Sequence, residues 1–175
     1  MDKYPKEARS EEILAWFRTA LARHFRTAKV LAFHCYRIDL SDMLDREGCL
    51  PLFPQGSVCM FKVAMAAAIL GDKNHLALVQ YVPRRPCLED VGELVTYSRI
   101  AKPVLSLLVS PRPPRESLRM FFSLYGRYDV LEYATNKRIG ILEWDPDRAT
   151  PVYPMTIPPR GFPGAALESP RTERH

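Results

Sequence analysis

His75 opens the apolar run HLALVQYV (75–82), where an imidazole could act as a general base or simply sit in a turn at a strand start. Lys102 closes LEDVGELVTYSRIAK (88–102), where an ammonium could stabilise phosphate charge or complement a helix C-terminus. Gln80, in the same run as His75, could contact a nucleobase or stand buried and hydrogen-bonded. Arg84 and Arg85 follow that run, and Arg112 and Arg115 follow a second apolar run, PVLSLLVS (103–110). Guanidinium groups so placed could bind phosphate, or be solvated loop arginines. Asp39, Asp42, Asp45 and Glu47 form an acidic run that could hold a cation or be one solvated helix face. Cys35, Cys49, Cys59 and Cys87 include no C-x-x-C pair and no histidine at finger spacing. They read as buried free thiols, not a metal site. Tyr81 and Tyr97 could stack on bases or line the core rim.

These residues need elements to position them. Ser10 can cap a helix whose apolar residues Ile13, Leu14, Trp16, Phe17, Ala20, Leu21 and Phe25 recur at helical spacing to about Thr27. KVLAFHCYRI (29–38) predicts a strand, with a second helix possible through DLSDMLDREG. VCMFKVAMAAAIL (58–70) and HLALVQYV (75–82), joined by GDKN, predict a β-hairpin, although the alanines leave room for a helix in the first arm. A helix over 88–102 stops at Pro103 and leads into the strand 103–110. Such a strand–helix–strand unit is most simply a right-handed parallel crossover. Parallel strands end on one edge, so Arg84, Arg85, Arg112 and Arg115 should cluster there. A further helix ends at Gly126, and YDVLEY (128–133) and IGILEW (139–144) predict a final pair of strands. From Asp145 the chain turns proline-rich and loses all periodicity, as an extended or disordered tail would. The expected organisation is an arm (1–9), a three-layer α/β domain with a mixed β-sheet flanked by helices (10–144), and a tail (145–175).

The chain has 175 residues, a formal net charge of +5 and a pI near 9.1. Length and composition fit one soluble domain, and the charge favours an anionic partner such as nucleic acid. No apolar run is long enough to span a bilayer, and MDKYPKEARSEE lacks a signal-peptide core. The expectation is therefore a cytoplasmic protein with no membrane contact. Scarce asparagine and glutamine fit a thermophile, or a biased genome.

A helix ahead of a hairpin and then a parallel crossover resembles the restriction-endonuclease-like fold over residues 10–144. Metal-dependent members carry PD-(D/E)xK, with an acid late in the first hairpin arm and an acid and lysine in the second. Aligned so, Ala64, Ala66, Ala67 and Ala68 stand where the first acid would sit, and Gln80 and Val82 stand at the places of the second acid and the lysine. The resemblance then implies a degenerate site with no acid pair for magnesium, no metal and no cofactor. The chain also resembles tRNA-splicing endonuclease subunits, which cleave RNA without metal. FKVA (61–64) matches a family segment with Ala64 in place of the family's tyrosine, and His75 and Lys102 match its histidine and lysine. The helix over 116–125 departs from that family's pattern. Together the resemblances imply a non-catalytic nuclease-fold protein that binds DNA or RNA, or a structural subunit of a nuclease complex. The alternatives are a metal-free RNA endonuclease using His75 and Lys102, and a protein–protein module. The last would dock a partner or form a homodimer through its tail or an apolar sheet edge.

Overall fold

The computed structural model describes residues 6–36, 38–49, 52 and 61–168. Helix α1 (Lys6–His24) turns at Phe25–Ala28 into strand β1 (Lys29–His34), and α2 (Leu40–Arg46) follows. Strands β2 (Met65–Leu70) and β3 (His75–Tyr81) form the expected hairpin, shorter in its first arm than the sequence suggests. The start of that arm, residues 58–60, lies outside the described residues. Next come α3 (Leu88–Ala101), β4 (Leu105–Ser110) and α4 (Glu116–Tyr125). After a 3-10 turn (Tyr128–Leu131), the chain adds β5 (Glu132–Ala134), β6 (Lys137–Arg138), β7 (Gly140–Asp145) and β8 (Thr150–Pro151).

The main sheet has six strands in the order β1-β2-β3-β4-β7-β8. β1, β2 and β3 run antiparallel in sequence, β3, β4 and β7 are parallel, and β8 returns antiparallel. The mixed sheet with helices on both faces is the three-layer α/β class expected. One face packs on α1 through Ile13, Phe17, Ala20 and Leu21. The other packs on α2, α3 and α4 through Leu40, Leu44, Val91, Leu94, Leu118 and Phe122. The alanine-rich arm is a strand because both of its faces are covered: Ala66 and Ala68 face one core, Met65, Ala67 and Ile69 the other. In a doubly buried central strand, packing outweighs the weak β-preference of alanine.

Two expectations fail. The strand 139–144 does not pair with 128–133. Its counterpart β7 lies against β4, and β5 turns back on β6 at Thr135–Asn136, where Asn136 takes a left-handed φ of 58°. The described part of the tail, to Glu168, is neither free nor disordered. Ile157, Phe162 and Leu167 are buried in the two cores, and Ile157 and Ile141 exchange main-chain hydrogen bonds of 2.9 and 2.8 Å. Gly140 permits this approach, since a Cβ there would lie 2.9 Å from Pro159 Cδ. The segment buries isolated residues between prolines, so it carries no period to read. Residues 169–175 and most of the N-terminal arm lie outside the described residues. Among the described residues, no helix is long and apolar enough to cross a membrane.

Candidate nucleic-acid interface

The parallel register sets Tyr81 beside Val109, so the loops after β3 and β4 leave the sheet together. Hydrogen bonds then stitch the loops to each other. Val82 N donates to Val109 O (2.9 Å), Ser110 Oγ to Arg84 O (2.9 Å) and Arg115 N to Pro86 O (3.0 Å). Arg112 N donates to Ser110 Oγ (3.1 Å), which closes the second loop. Arg84, Arg85, Arg112 and Arg115 therefore share one edge, and all four are exposed.

They are not equivalent. Arg84 donates through Nη1 and Nη2 to both oxygens of the buried Asp90, each at 2.8 Å. The same carboxylate accepts from Cys87 N (2.8 Å) and so caps α3 at its first turn. Arg84 thus braces the loop and has its charge balanced. The Cys87 thiol beside Glu89 holds that carboxyl below its usual range, with the Arg115 charge contributing. Glu116 ion-pairs with Arg119 at 3.5 Å. Beside the loops a groove of about 530 Å³ is lined by Pro113, Pro114, Arg119, Tyr128, Glu143 and Met155. Its mixed charges do not extend the arginine cluster.

Of the positions that resemble a spoiled metal site, Gln80 and Ala64 meet in a structural hydrogen bond, while Val82 belongs to the opposite core from Ala64. Gln80 Oε1 accepts from Ala64 N at 3.1 Å, and Ala64 O accepts from Cys35 N at 2.9 Å. Ala64 and Val82 are each 5% exposed, and Val82 belongs to the same core as Leu118 and Phe122. Among the described residues, no group of three His, Cys, Asp or Glu side chains could hold a metal ion. The acidic run resolves similarly. Asp39 Oδ1 caps α2 by accepting from Ser41 N (2.9 Å) and Ser41 Oγ (2.6 Å), while Asp42, Asp45 and Glu47 are exposed. Tyr97 stacks edge-on against Phe61 at 4.8 Å and donates to Glu93 at 2.9 Å; Tyr81 packs at the margin of the α1-side core.

His75 and Lys102 lie at the opposite end of the same two strands. Val104 N donates to Leu76 O (2.8 Å), which puts the end of α3 beside the start of β3, and Lys102 caps α3 with a left-handed φ of 49°. Two lysines that sequence reasoning did not single out join them. Burial, then the charges of Lys137 and Lys73, hold the His75 pKa below its ordinary value. Lys137 Nζ donates to Pro103 O at 3.2 Å. The tyrosine at this edge, Tyr133, is buried and donates to the same carbonyl at 3.2 Å, and burial drives its pKa well up. Lys73 lies in the turn between β2 and β3 and Lys137 opens β6, so nothing in their spacing announces that both charges act on His75. Compared with known protein families, curated proteins and solved structures, the chain gives no match.

Proposed function

We propose that this chain is a non-catalytic, restriction-endonuclease-like domain that binds nucleic acid, DNA or RNA, through the loops after β3 and β4. The observation carrying the reading is the hydrogen-bonded pair of loops that gathers Arg85, Arg112 and Arg115 on one edge, braced by the Arg84–Asp90 fork. The element order supports the nuclease-like core: a helix, then antiparallel strands, then a parallel crossover in one sheet. Ala64, Gln80 and Val82 supply no acid pair or lysine at the hairpin, so the role is binding or scaffolding a nuclease partner. A cytoplasmic setting belongs to the same proposal and fits the free thiols of Cys35, Cys49 and Cys87.

Fluorescence anisotropy with labelled single-stranded and duplex oligonucleotides, across a salt series, tests it. Arg85→Glu, Arg112→Glu and Arg115→Glu should each weaken binding for every sequence. Replacing one arginine by alanine should lower the log K against log salt slope by about one. Binding that ignores all three positions would refute the interface.

A second reading rests on the other edge, where burial and the charges of Lys137 and Lys73 hold the His75 pKa below its ordinary value and Lys102 caps α3 at the same end of the sheet. A neutral imidazole can take a proton from a ribose hydroxyl while ammonium groups offset phosphate charge. This is the metal-free RNA endonuclease reading, with Ala64 where that family's tyrosine would stand. Incubation with folded RNA in EDTA checks it: cleavage should occur and should vanish in His75→Ala. Cleavage that survives the substitution excludes the mechanism.

A further inference from the structure

The outer edge of β1 points to a second copy of this chain. β1 is the terminal strand of the six-stranded sheet and pairs with β2 over its whole length, Lys29 against Leu70 through His34 against Met65. In an antiparallel ladder each residue's N–H and C=O point the same way, and the direction alternates along the strand. Cys35 N donates to Ala64 O on the β2 side, so Phe33, Leu31 and Lys29 also face β2. Val30, Ala32 and His34 face outward. Among the described residues, no main-chain hydrogen bond reaches their N–H groups. The strand reads KVLAFH, with no proline, no bulge and Lys29 as its one residue of fixed charge. Val30, Leu31 and Ala32 are only partly buried. Among the described residues no strand covers this apolar edge, and such an edge is a template for another strand.

Charge selects the occupant. α1 runs back along β1, because Glu11 Oε1 lies 3.1 Å from His34 Nε2 at the end of the strand, while Phe25–Ala28 lead directly into its start. Glu11 therefore marks one end of this edge, and Arg26 and Lys29 mark the other. All three are exposed. An antiparallel two-fold pairing lays the acidic end of each copy beside the basic end of the other. We infer that two chains associate through β1, with Ala32 on the two-fold axis and Val30 opposite His34 of the second copy. This register joins all three outward residues and adds roughly six main-chain hydrogen bonds. The sheet then continues across the dimer, with the two α1 helices on one face.

Sedimentation equilibrium of the full chain without nucleic acid, over a wide concentration range, should show a species of twice the 20.1 kDa chain mass. Ala32→Pro removes an outward N–H without touching the β2 ladder and should raise the dissociation constant at least about tenfold. Glu11→Arg and Arg26→Glu should each weaken the dimer, and their combination should restore it. In the wild type, hydrogen exchange at Val30, Ala32 and His34 should slow as concentration rises, a readout that does not require Ala32→Pro to fold. A chain that stays monomeric, a dimer indifferent to Ala32→Pro, or exchange at those amides independent of concentration would each overturn the inference.

Discussion

Replacing Gln80 by leucine removes the acceptor that Ala64 N now has at 3.1 Å. Ala64 is a junction: its N–H is held by β3, its carbonyl accepts from Cys35 just beyond β1, and it directly precedes β2. Its N–H belongs to a residue only 5% exposed, so water does not readily replace the lost partner. A buried donor left without an acceptor costs about 1–3 kcal/mol. Leucine on a half-buried site returns up to about 1 kcal/mol of apolar burial, leaving a net loss of about 1–2 kcal/mol. For a chain of this length that is a fall in Tm of roughly 2–8 °C. Urea denaturation followed by circular dichroism measures it, and the m-value should not change, because the perturbation is local. Gln80→Glu keeps an oxygen at the same reach and should lose clearly less. If Gln80→Leu unfolds at the wild-type midpoint, Gln80 is not a structural acceptor, and its position at the heart of the hairpin needs another explanation.

Three further outcomes follow from the geometry. His75 has a pKa below its ordinary 6.5, so the unfolded chain binds the proton first; its contribution to stability is present above about pH 6.5 and lost on acidification below it. His75→Asn should flatten that part of the urea midpoint against pH, and an unchanged slope would refute the assignment. Ser98 and Ser106 are both 0% exposed and share a hydrogen bond of 2.7 Å between α3 and β4. Either alanine substitution should cost about 1–3 kcal/mol, while the double substitution should cost much less than the sum; additive losses in a double-mutant cycle would show that the pair is not coupled. Ending the chain at Asp145 removes Ile157, Phe162 and Leu167 from the cores, roughly 5–9 kcal/mol of apolar burial against a typical total stability of about 5–15 kcal/mol. The truncated protein should lose its cooperative melt and become protease-sensitive; a full-length-like melt would show the packing of the segment to be incidental.

What could be read from the chain alone depended on period and punctuation. The apolar spacing of α1, α3 and α4, the GDKN turn and the Pro103 stop are local signals, and they place most elements within a few residues. They also suffice for the α/β class and for the gathering of the arginine loops, because a parallel crossover forces the two strand ends to one edge. The partner of β7 was not legible. IGILEW is an apolar strand whichever neighbour it has, and pairing is settled by which sheet edge remains open after β4 is placed. Nor was the packing of residues 145–168, where single apolar residues are held by separate long-range contacts. The weight of each site residue was decided in three dimensions as well. Arg84 and Arg85 look alike in sequence, yet Arg84 is bound by the carboxylate that caps α3. Gln80 looks like a failed metal ligand and serves the Ala64 amide. Lys73 and Lys137, far apart in the chain, both act on the charge of His75. Sequence by itself determined which elements form, through interactions a few residues long. Only the tertiary structure decided which charges are spent inside the protein and which face outward, because burial and charge pairing depend on neighbours that the chain order does not supply.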